Sequence, residues 1–301
     1  MPAIEDIINI DSITILHELL GYKKPAHCLI TLIDINNVHI LPKYRNRQIA
    51  AGFYTISLKS GCDCKFKYGR QYYDFSEGSM MFTAPGQVAS VESISIDAKG
   101  WMLCFHPDLI RKSHLNSKVK EYTFFSYDSN EALHLSEQEK ETINNIVNTI
   151  KEEFNQKSDM YSEQLIISNL EVLLNYARRF YGRQFITRTS VNKDTVSRFE
   201  ELLIDYFKSE NLVDKGLLTV KYLAGKMGYS ANYLSDLLKK ETGKNTLEHI
   251  HFQLIEKAKS LLLNTREPVT QVAYILGFEY PGHFSKLFKK KTGMSPSEYR
   301  K

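Results

Sequence analysis

Small, polar and basic side chains recur at matching positions of a repeat in the last third of the chain. The copies stand 49 to 50 residues apart and share Val220/Val269, Ala224/Ala273, Gly228/Gly277, Ser235/Ser285, Leu237/Leu287, Lys239/Lys289, Lys240/Lys290, Thr242/Thr292 and Gly243/Gly293. Hydroxyl and ammonium groups of this kind hydrogen-bond to base edges and neutralise the phosphates of DNA. The repeat therefore points to recognition of a nucleic acid rather than to catalysis.

Each copy is predicted to form two short helices joined by a tight turn. The first helix ends at Gly228 or Gly277, since glycine adopts the left-handed backbone that closes many helices. The second helix ends in Lys-Lys-x-Thr-Gly, and its inward-facing residues are Leu234, Leu237 and Leu238 in the first copy and Phe284, Leu287 and Phe288 in the second. This arrangement predicts two helix-turn-helix units.

The opposite face of each second helix carries small and polar residues. They are Ala231, Asn232, Ser235, Asp236 and Lys239 in the first copy, and Gly282, Ser285, Lys286 and Lys289 in the second. Side chains of this size let a helix approach base edges in the major groove. A solvated helix face would explain one such copy, but two copies on one chain favour DNA binding.

Between the copies, residues 246–264 predict one amphipathic helix with an inner face of Leu247, Ile250, Leu254, Ala258, Leu261 and Leu262. At 1.5 Å per residue this helix spans about 28 Å. Two units held on it could enter successive turns of the major groove, which lie about 34 Å apart. The charge distribution agrees, because residues 191–301 hold 18 Lys and Arg against 13 Asp and Glu, whereas residues 1–181 hold 19 against 22.

Residues 195–301 resemble the DNA-binding domain of the AraC/XylS family of bacterial transcription regulators. The resemblance rests on GYSANYLSDLLKKETG, then IEKAKSLLLNT, then VTQVAYILGFEYPGHFSKLFKKKTGMSPSEYR, in the family's order and spacing. These specific motifs lie within about a third of the chain. The resemblance implies a sequence-specific regulator, more often an activator, whose partners are double-stranded DNA and RNA polymerase.

The resemblance also implies roles for individual residues. The family's base-contacting positions fall on Asn232, Ser235, Asp236, Gly282, Ser285 and Lys286. Asp236 stands where members that contact bases with the first unit often carry a basic side chain, and a carboxylate there could accept a hydrogen bond from a cytosine amine. The residues that close the two second helices could neutralise phosphates or complement the helix dipole, and they are Lys239, Lys240, Lys289 and Lys290.

Residues 27–106 predict a small antiparallel β-barrel or sandwich, because short β-rich segments alternate there with turn residues. Aromatic residues could line a pocket for a small-molecule effector, and the candidates are Phe53, Phe66, Tyr68, Phe82 and Trp101. Filling the core of a small barrel requires the same residues, so both interpretations stay open. The predicted barrel resembles the cupin-like effector and dimerisation domain that many family members carry.

Two helices are predicted after the β-rich region. Ser136 and Glu139 form a capping box before an apolar stripe that begins at Ile143. The second helix, over about residues 162–181, has an apolar face wider than one contact within the chain requires. This face predicts either a homodimer through residues 162–181 or packing onto the chain's own barrel. The polar residues that follow predict a linker.

The sequence gives no support to an enzyme or a membrane protein. Neither the four cysteines, Cys28, Cys62, Cys64 and Cys104, nor the histidines of the β-rich region have the spacing of a metal site. No catalytic motif or phosphate-binding glycine loop is found. No apolar run reaches the roughly 18 residues of a membrane helix, and a secretion signal is lacking. We expect a cytoplasmic protein without metal, cofactor or catalytic activity.

Together these patterns predict an α+β multi-domain chain. A cupin-like antiparallel β-barrel is expected over residues 1–134, a helical dimerisation region over 135–181 and a linker over 182–194. An all-α domain with two helix-turn-helix units joined by a long linker helix is expected over 195–301. Two alternatives stay open: a constitutive DNA-binding regulator whose barrel serves only dimerisation, and a metal-dependent cupin enzyme tethered to DNA.

Overall fold

The chain forms two compact units, residues 1–186 and residues 187–301. The computed structural model describes residues 7–38, 41, 47–60, 66–68, 71–73, 78–90, 99–128, 131–157, 159–187, 189–208, 212 and 216–300. The boundary between the units falls inside the segment that was expected to be a linker.

The described strands of the first unit form three sheets. The strands are β1 (Ile8–Ile10), β2 (Ile30–Asp34), β3 (Gln48–Ala51), β4 (Tyr54–Ser60), β5 (Phe66–Tyr68), β6 (Gln71–Tyr73), β7 (Ser79–Thr83), β8 (Val88–Ser90), β9 (Lys99–Phe105) and β10 (Leu133–His134). The largest sheet has the order β10-β7-β4-β9-β2 and is antiparallel throughout. The smaller sheets have the orders β1-β3-β8 and β5-β6.

One strand pair departs from the predicted antiparallel arrangement. Strands β1 and β3 run parallel, with Ile8 opposite Ile49. A parallel pair requires a crossover connection, and here α1 (Ile13–Leu19) and β2 lie between the two strands in the chain. The first unit is thus a mixed unit with an antiparallel main sheet, and its closure into a cupin-like barrel remains a prediction.

The main sheet has two faces of different character. One face carries buried Ile56, Met80, Leu103, Phe105 and Leu133, which alternate along their strands as a packed face requires. Ring contacts join this face to the segment after β9: the ring centroids of Phe82 and Phe124 lie 4.5 Å apart, and those of Tyr54 and Phe125 lie 5.0 Å apart. The other face carries Thr31, Thr55 and Ser57 beside the apolar Ile33 and Cys104, which belong to a second buried cluster.

The described helices of the first unit are α1, α2 (Pro107–Ile110), α3 (Leu115–Lys118), α4 (Glu137–Asn155) and α5 (Ser162–Thr187), with 3-10 turns at Ile35–Asn37, Val119–Glu121 and Thr123–Ser126. The predicted capping box of Ser136 and Glu139 opens α4 and is confirmed. The eight residues of the wide apolar face of α5 are all buried within this single chain: Ile166, Ile167, Leu170, Leu173, Leu174, Ala177, Phe180 and Tyr181. Packing inside the chain therefore accounts for the width of that face.

Side chains from the last turns of α5 hold strand β10 in place. Gln184, 1% exposed, accepts a hydrogen bond from the His134 amide at 2.8 Å and donates one to the Ala132 carbonyl at 3.1 Å. Arg183 donates to the His134 carbonyl at 2.7 Å and pairs with Glu139 at 2.6 Å. These contacts give the short strand partners for its backbone groups on the side away from β7.

The second unit is helical in its described part. Its helices are α6 (Thr189–Lys208), α7 (Val220–Met227), α8 (Ala231–Thr242), α9 (Thr246–Asn264), α10 (Val269–Ile275), α11 (Pro281–Thr292) and α12 (Pro296–Arg300). The linker predicted over residues 182–194 is wrong in its described residues, because α5 extends to Thr187 and α6 begins at Thr189. The polar composition was misleading because the amides of buried Gln184 and Asn192 form hydrogen bonds with residues outside these two helices, the Ala132 carbonyl and the Glu241 carboxylate.

A single cluster of buried residues holds the second unit together. Its largest members, each fully buried, are Phe199, Phe284 and Phe288. Burying a side chain of this size contributes about 1.5 to 3 kcal/mol. The cluster takes residues from each of the helices α6 to α11, so both helix pairs and the helix between them share one core.

Candidate nucleic-acid interface

The first helix pair, α7 and α8, is joined by the three residues 228–230. Gly228 has φ +78° and closes α7 with its amide donating to the Ala224 carbonyl, as the sequence predicts. Ser230 then caps α8 by accepting a hydrogen bond from the Tyr233 amide at 3.2 Å. Gly243, also at φ +78°, ends α8. The local sequence thus fixes both ends of the helix that carries the first candidate face.

The second helix pair, α10 and α11, has a different turn. Gly277 has φ +85°, as predicted, but five residues separate α10 from α11. The residue before α11 is Tyr280, whose side chain forms no capping hydrogen bond, and Pro281 is the first residue of the helix. The N-terminal amides of α11 therefore lack the side-chain partner that Ser230 gives to α8.

The first candidate face is only partly open to a ligand. Asn232 is exposed, whereas Ser235 and Asp236 are half-buried. The Ser235 hydroxyl donates to Thr246 Oγ1 at 3.1 Å, at the start of α9. Of the three base-contacting candidates on α8, Asn232 is thus the most accessible. The three predicted inward residues, Leu234, Leu237 and Leu238, are buried.

The second candidate face is more open. Gly282 and Lys286 are exposed and Ser285 is half-buried, while Phe284 and Phe288 are fully buried beneath them. Leu287, predicted to face inward, is only partly buried. Lys286 lies about one turn after the start of α11, and its ammonium group is open to a ligand.

Two further accessible residues at the N-terminus of α11 were not predicted from the sequence. Tyr280 is 64% exposed and His283 is exposed, and their ring centroids lie 5.5 Å apart. Their exposure at the start of the helix, next to exposed Gly282, makes both side chains accessible to a ligand. Their position before the inward-facing Phe284 was readable in the sequence, but the repeat drew attention only to positions shared by both copies.

The candidate phosphate-contacting lysines are exposed at the far ends of the same helices. Lys239 and Lys240 lie in the last turn of α8, and Lys289 and Lys290 in the last turn of α11. Their positive charges complement the negative end of each helix dipole. The same charges remain available to a polyanion, because complementing the dipole leaves an exposed ammonium group hydrated and accessible.

The connecting helix α9 has the bounds that the sequence predicts, Thr246–Asn264. A capping box formed by Asn245 and Glu248 fixes its start. Ile250, Leu254, Ala258 and Leu262 are buried as predicted, and Leu261 is partly buried. The assignment of Leu247 to the inner face is wrong, since it is 47% exposed.

The candidate effector-pocket residues do not form one lining. Trp101 lies on the helix-facing side of the main sheet and donates a hydrogen bond to Asn144 of α4 at 2.8 Å, and Phe82 shares that side. Phe53 is buried in a separate cluster with Ile10 and Ile13. Phe66 and Tyr68 lie on β5, and their side chains are outside the described part. Phe53 and Phe82 thus serve as core residues in two different places, and Trp101 is half-buried against α4.

No group of three or more His, Cys, Asp or Glu side chains in the described residues is placed to hold a metal ion. Cys104 is buried, which raises the pKa of its thiol to about 12, and Cys28 is exposed. Cys62, Cys64 and His39 lie outside the described residues. In the described part, no helix is both long and apolar enough to span a bilayer.

Comparisons with known proteins agree with this arrangement. The sequence model of a family described as a helix-turn-helix domain matches residues 223–301. The arabinose operon regulatory protein of Escherichia coli is 27% identical over 288 residues, which cover 94% of this chain and 92% of that protein. Its counterpart from Salmonella typhimurium is 26% identical over 287 residues, covering 94% of this chain and 95% of its own.

Among solved structures, the C-terminal domain of AraT, a response regulator from Geobacillus stearothermophilus, matches 35% of this chain and 82% of its own at 31% identity, with a TM-score of 0.31. The motifs, the two helix pairs and the matches in sequence define a DNA-binding transcription regulator of the helix-turn-helix class. Residues 223–301 thus form an AraC-type helix-turn-helix domain, and the relatives of the chain are regulators of the AraC family.

Proposed function

We propose that the chain activates transcription by binding a specific DNA site with both helix pairs. The observation that carries this proposal is the pair of exposed polar faces on α8 and α11, built on one shared core. In this proposal Asn232 and Asp236 contact bases from the first helix, Gly282 lets the second approach closely, and Lys286 contacts bases from it. Ser235 and Ser285 contribute further hydrogen bonds to bases through their half-buried hydroxyl groups.

The exposed lysines at the ends of α8 and α11 supply the sequence-independent part of the affinity. Each phosphate that Lys239, Lys240, Lys289 or Lys290 neutralises adds about 0.9 to the slope of log affinity against log salt. The uncapped amides of α11 provide a further phosphate contact, because a helix N-terminus favours an anion.

Selection of bound sites from a random duplex library, at two salt concentrations, tests this proposal. Enrichment of a motif with two elements about one helical turn apart is the expected result. Enrichment of a single element would restrict base contacts to one helix pair. Failure of the folded protein to enrich any sequence would contradict the proposal.

A matched pair of variants separates base contacts from phosphate contacts. Lys286→Ala should cost about 1 to 3 kcal/mol on the selected site and little on random DNA. Lys290→Ala should weaken binding to both DNAs alike and lower the salt slope by about 0.9. An equal loss on both DNAs for Lys286→Ala would assign that residue to a phosphate.

We further propose that the first unit regulates DNA binding as a homodimer that binds a small-molecule effector. Leu165 and Val172, which are 47% and 42% exposed on α5, support a dimer through residues 162–181. Leu165→Glu should shift the protein towards monomer in analytical ultracentrifugation, with exposed Glu163→Gln on the same helix as the control. DNA affinity that no metabolite changes would favour the alternative in which this unit serves dimerisation alone.

A further inference from the structure

A groove of about 300 Å³ runs along the connecting helix on the second unit. We call it the linker groove, and its lining residues are Lys244, Glu248, His251, Phe252, Ile255, Glu256, Lys259 and Lys291. Lys244 follows the end of α8, and Lys291 lies in the last turn of α11. The groove therefore lies where the C-terminal ends of both candidate recognition helices meet α9.

The floor and one wall of the linker groove are apolar. Ile255 is buried at its base, whereas Phe252 is 51% exposed. The phenyl ring thus presents an exposed apolar surface in the same groove as the buried isoleucine, and packing within the described chain leaves it half open to solvent.

Only some of the charged side chains in the linker groove have a partner of opposite charge. Glu256 pairs with Lys259 at 2.7 Å, and Glu248 accepts a hydrogen bond from the Asn245 amide at 2.8 Å in the capping box. Lys244 places its ammonium group 4.6 Å from the centroid of the Phe252 ring. Within the described residues, no carboxylate forms an ion pair with Lys244 or Lys291.

The histidine of the groove lies close to its lysines. The pKa of His251 is below its ordinary value, first because the ring is partly buried and then because Lys291 and Lys290 are close, while Glu248 acts in the opposite direction. The imidazole therefore favours its neutral form, and the net positive charge of the groove comes from its lysines. The cavity thus combines an apolar wall with two ammonium groups that lack a carboxylate partner.

We propose that the linker groove docks an acidic segment of a partner protein, which inserts an apolar side chain beside Phe252 and places carboxylates against Lys244 and Lys291. This inference rests on the proposed function, since it assigns the contact with the transcription machinery to one surface. DNA phosphates would satisfy the lysines but give the exposed ring no partner. The candidate base-contacting residues also lie towards the opposite, N-terminal ends of α8 and α11.

Binding of a labelled peptide to the full-length chain tests the chemistry of the groove. The probe is a fluorescein-labelled Asp-Asp-Phe-Asp-Asp peptide followed by anisotropy, with Lys-Lys-Phe-Lys-Lys as the control peptide. Phe252→Ser and Lys291→Glu should each weaken binding of the acidic peptide about tenfold. Leu263→Ser is the matched control, because Leu263 is 60% exposed on the same helix but outside the groove lining.

Transcription by purified RNA polymerase from a promoter that carries the selected site tests the role of the groove. At saturating occupancy of the DNA, Phe252→Ser should lose most of the activation, while Leu263→Ser should retain it. DNA affinity on the selected site should stay unchanged in both variants. This measurement separates the two proposals, because a failure of the wild-type chain to select a site contradicts DNA recognition and not the peptide contact.

Four results would overturn the inference. The acidic peptide would fail to bind the wild-type chain, or it would bind the groove variants as well as the control. Groove variants with normal activation at saturating occupancy would equally exclude the contact. A fall of about 0.9 in the salt slope of DNA binding for Lys244→Ala or Lys291→Ala would assign these lysines to phosphates instead.

Discussion

Gly228 and Gly277 occupy the same position in the two helix pairs, but the structure predicts different costs for replacing them with alanine. Both have positive φ, +78° and +85°. An alanine Cβ at Gly228 would meet no atom within 4 Å. At Gly277 it would lie 2.8 Å from the Leu212 carbonyl oxygen, 2.8 Å from the Gly216 carbonyl carbon and 3.0 Å from the Leu217 amide nitrogen.

The magnitudes follow from these surroundings. A left-handed backbone costs an alanine about 1 to 2 kcal/mol, offset by about 0.4 to 1 kcal/mol because alanine restricts the unfolded chain. Gly228→Ala should therefore destabilise the second unit by about 1 kcal/mol. Gly277→Ala adds the overlap with backbone atoms, and forced packing of this kind costs about 1 to 3 kcal/mol more. We expect a total of about 3 kcal/mol.

Hydrogen exchange of the amides in α8 and α11 measures this difference, because it follows opening of the second unit independently of the first. For the slowest amides, Gly228→Ala should increase exchange about fivefold and Gly277→Ala about a hundredfold. Equal increases in the two variants would refute the argument, since they would mean that the backbone around Leu217 yields at little cost.

Three further perturbations have calculable outcomes. Burial lowers the pKa of Lys59 from 10.5 to about 8; the unfolded chain then binds more protons between those values, so stability should rise with pH there. Lys59→Met should remove that rise in urea titrations and increase the free energy of unfolding by about 1 to 2 kcal/mol at pH 7, less than the full pKa shift implies because the side chain is partly accessible. A variant whose stability depends on pH as steeply as that of the wild type would contradict this. Gln184→Leu should destabilise the first unit by about 2 to 4 kcal/mol, since two buried backbone groups of the β10 segment lose their partner. A decrease of less than 1 kcal/mol in the free energy of urea unfolding would show that water replaces the amide. His283→Ala should weaken binding to the selected site by about 1 to 3 kcal/mol but leave random DNA unaffected; an unchanged ratio of the two affinities would exclude base contact by this residue.

Local sequence signals predicted the second unit well. Helix α9 has its predicted bounds because Asn245 and Glu248 form a capping box in the sequence itself. Gly228 and Gly277 have the predicted positive φ because the turn needs it irrespective of the rest of the chain. Leu247 was misassigned because helical spacing alone does not decide burial in the first turn of α9, where Thr246 is buried and Leu247 is exposed.

Non-local pairing explains most of what the sequence did not predict in the first unit. The parallel partnership of β1 and β3 joins segments about forty residues apart, and no local pattern specifies it. Phe82 and Trp101 were candidates for a pocket because aromatic residues suit either face of a sheet. Only the register of β4 with its neighbours shows that both lie on the side that packs against helices and turns.

The buried and exposed residues of α8 and α11 form separate sets, and this separation has an evolutionary consequence. Leu234 and Leu238, like Phe284 and Phe288, belong to the shared core, whereas Asn232 and Lys286 are exposed. Substitutions of the exposed residues leave the core packing unchanged, so the DNA sequence that each helix recognises can change while the protein stays folded. One chain can therefore acquire two unlike half-site preferences, one from each helix.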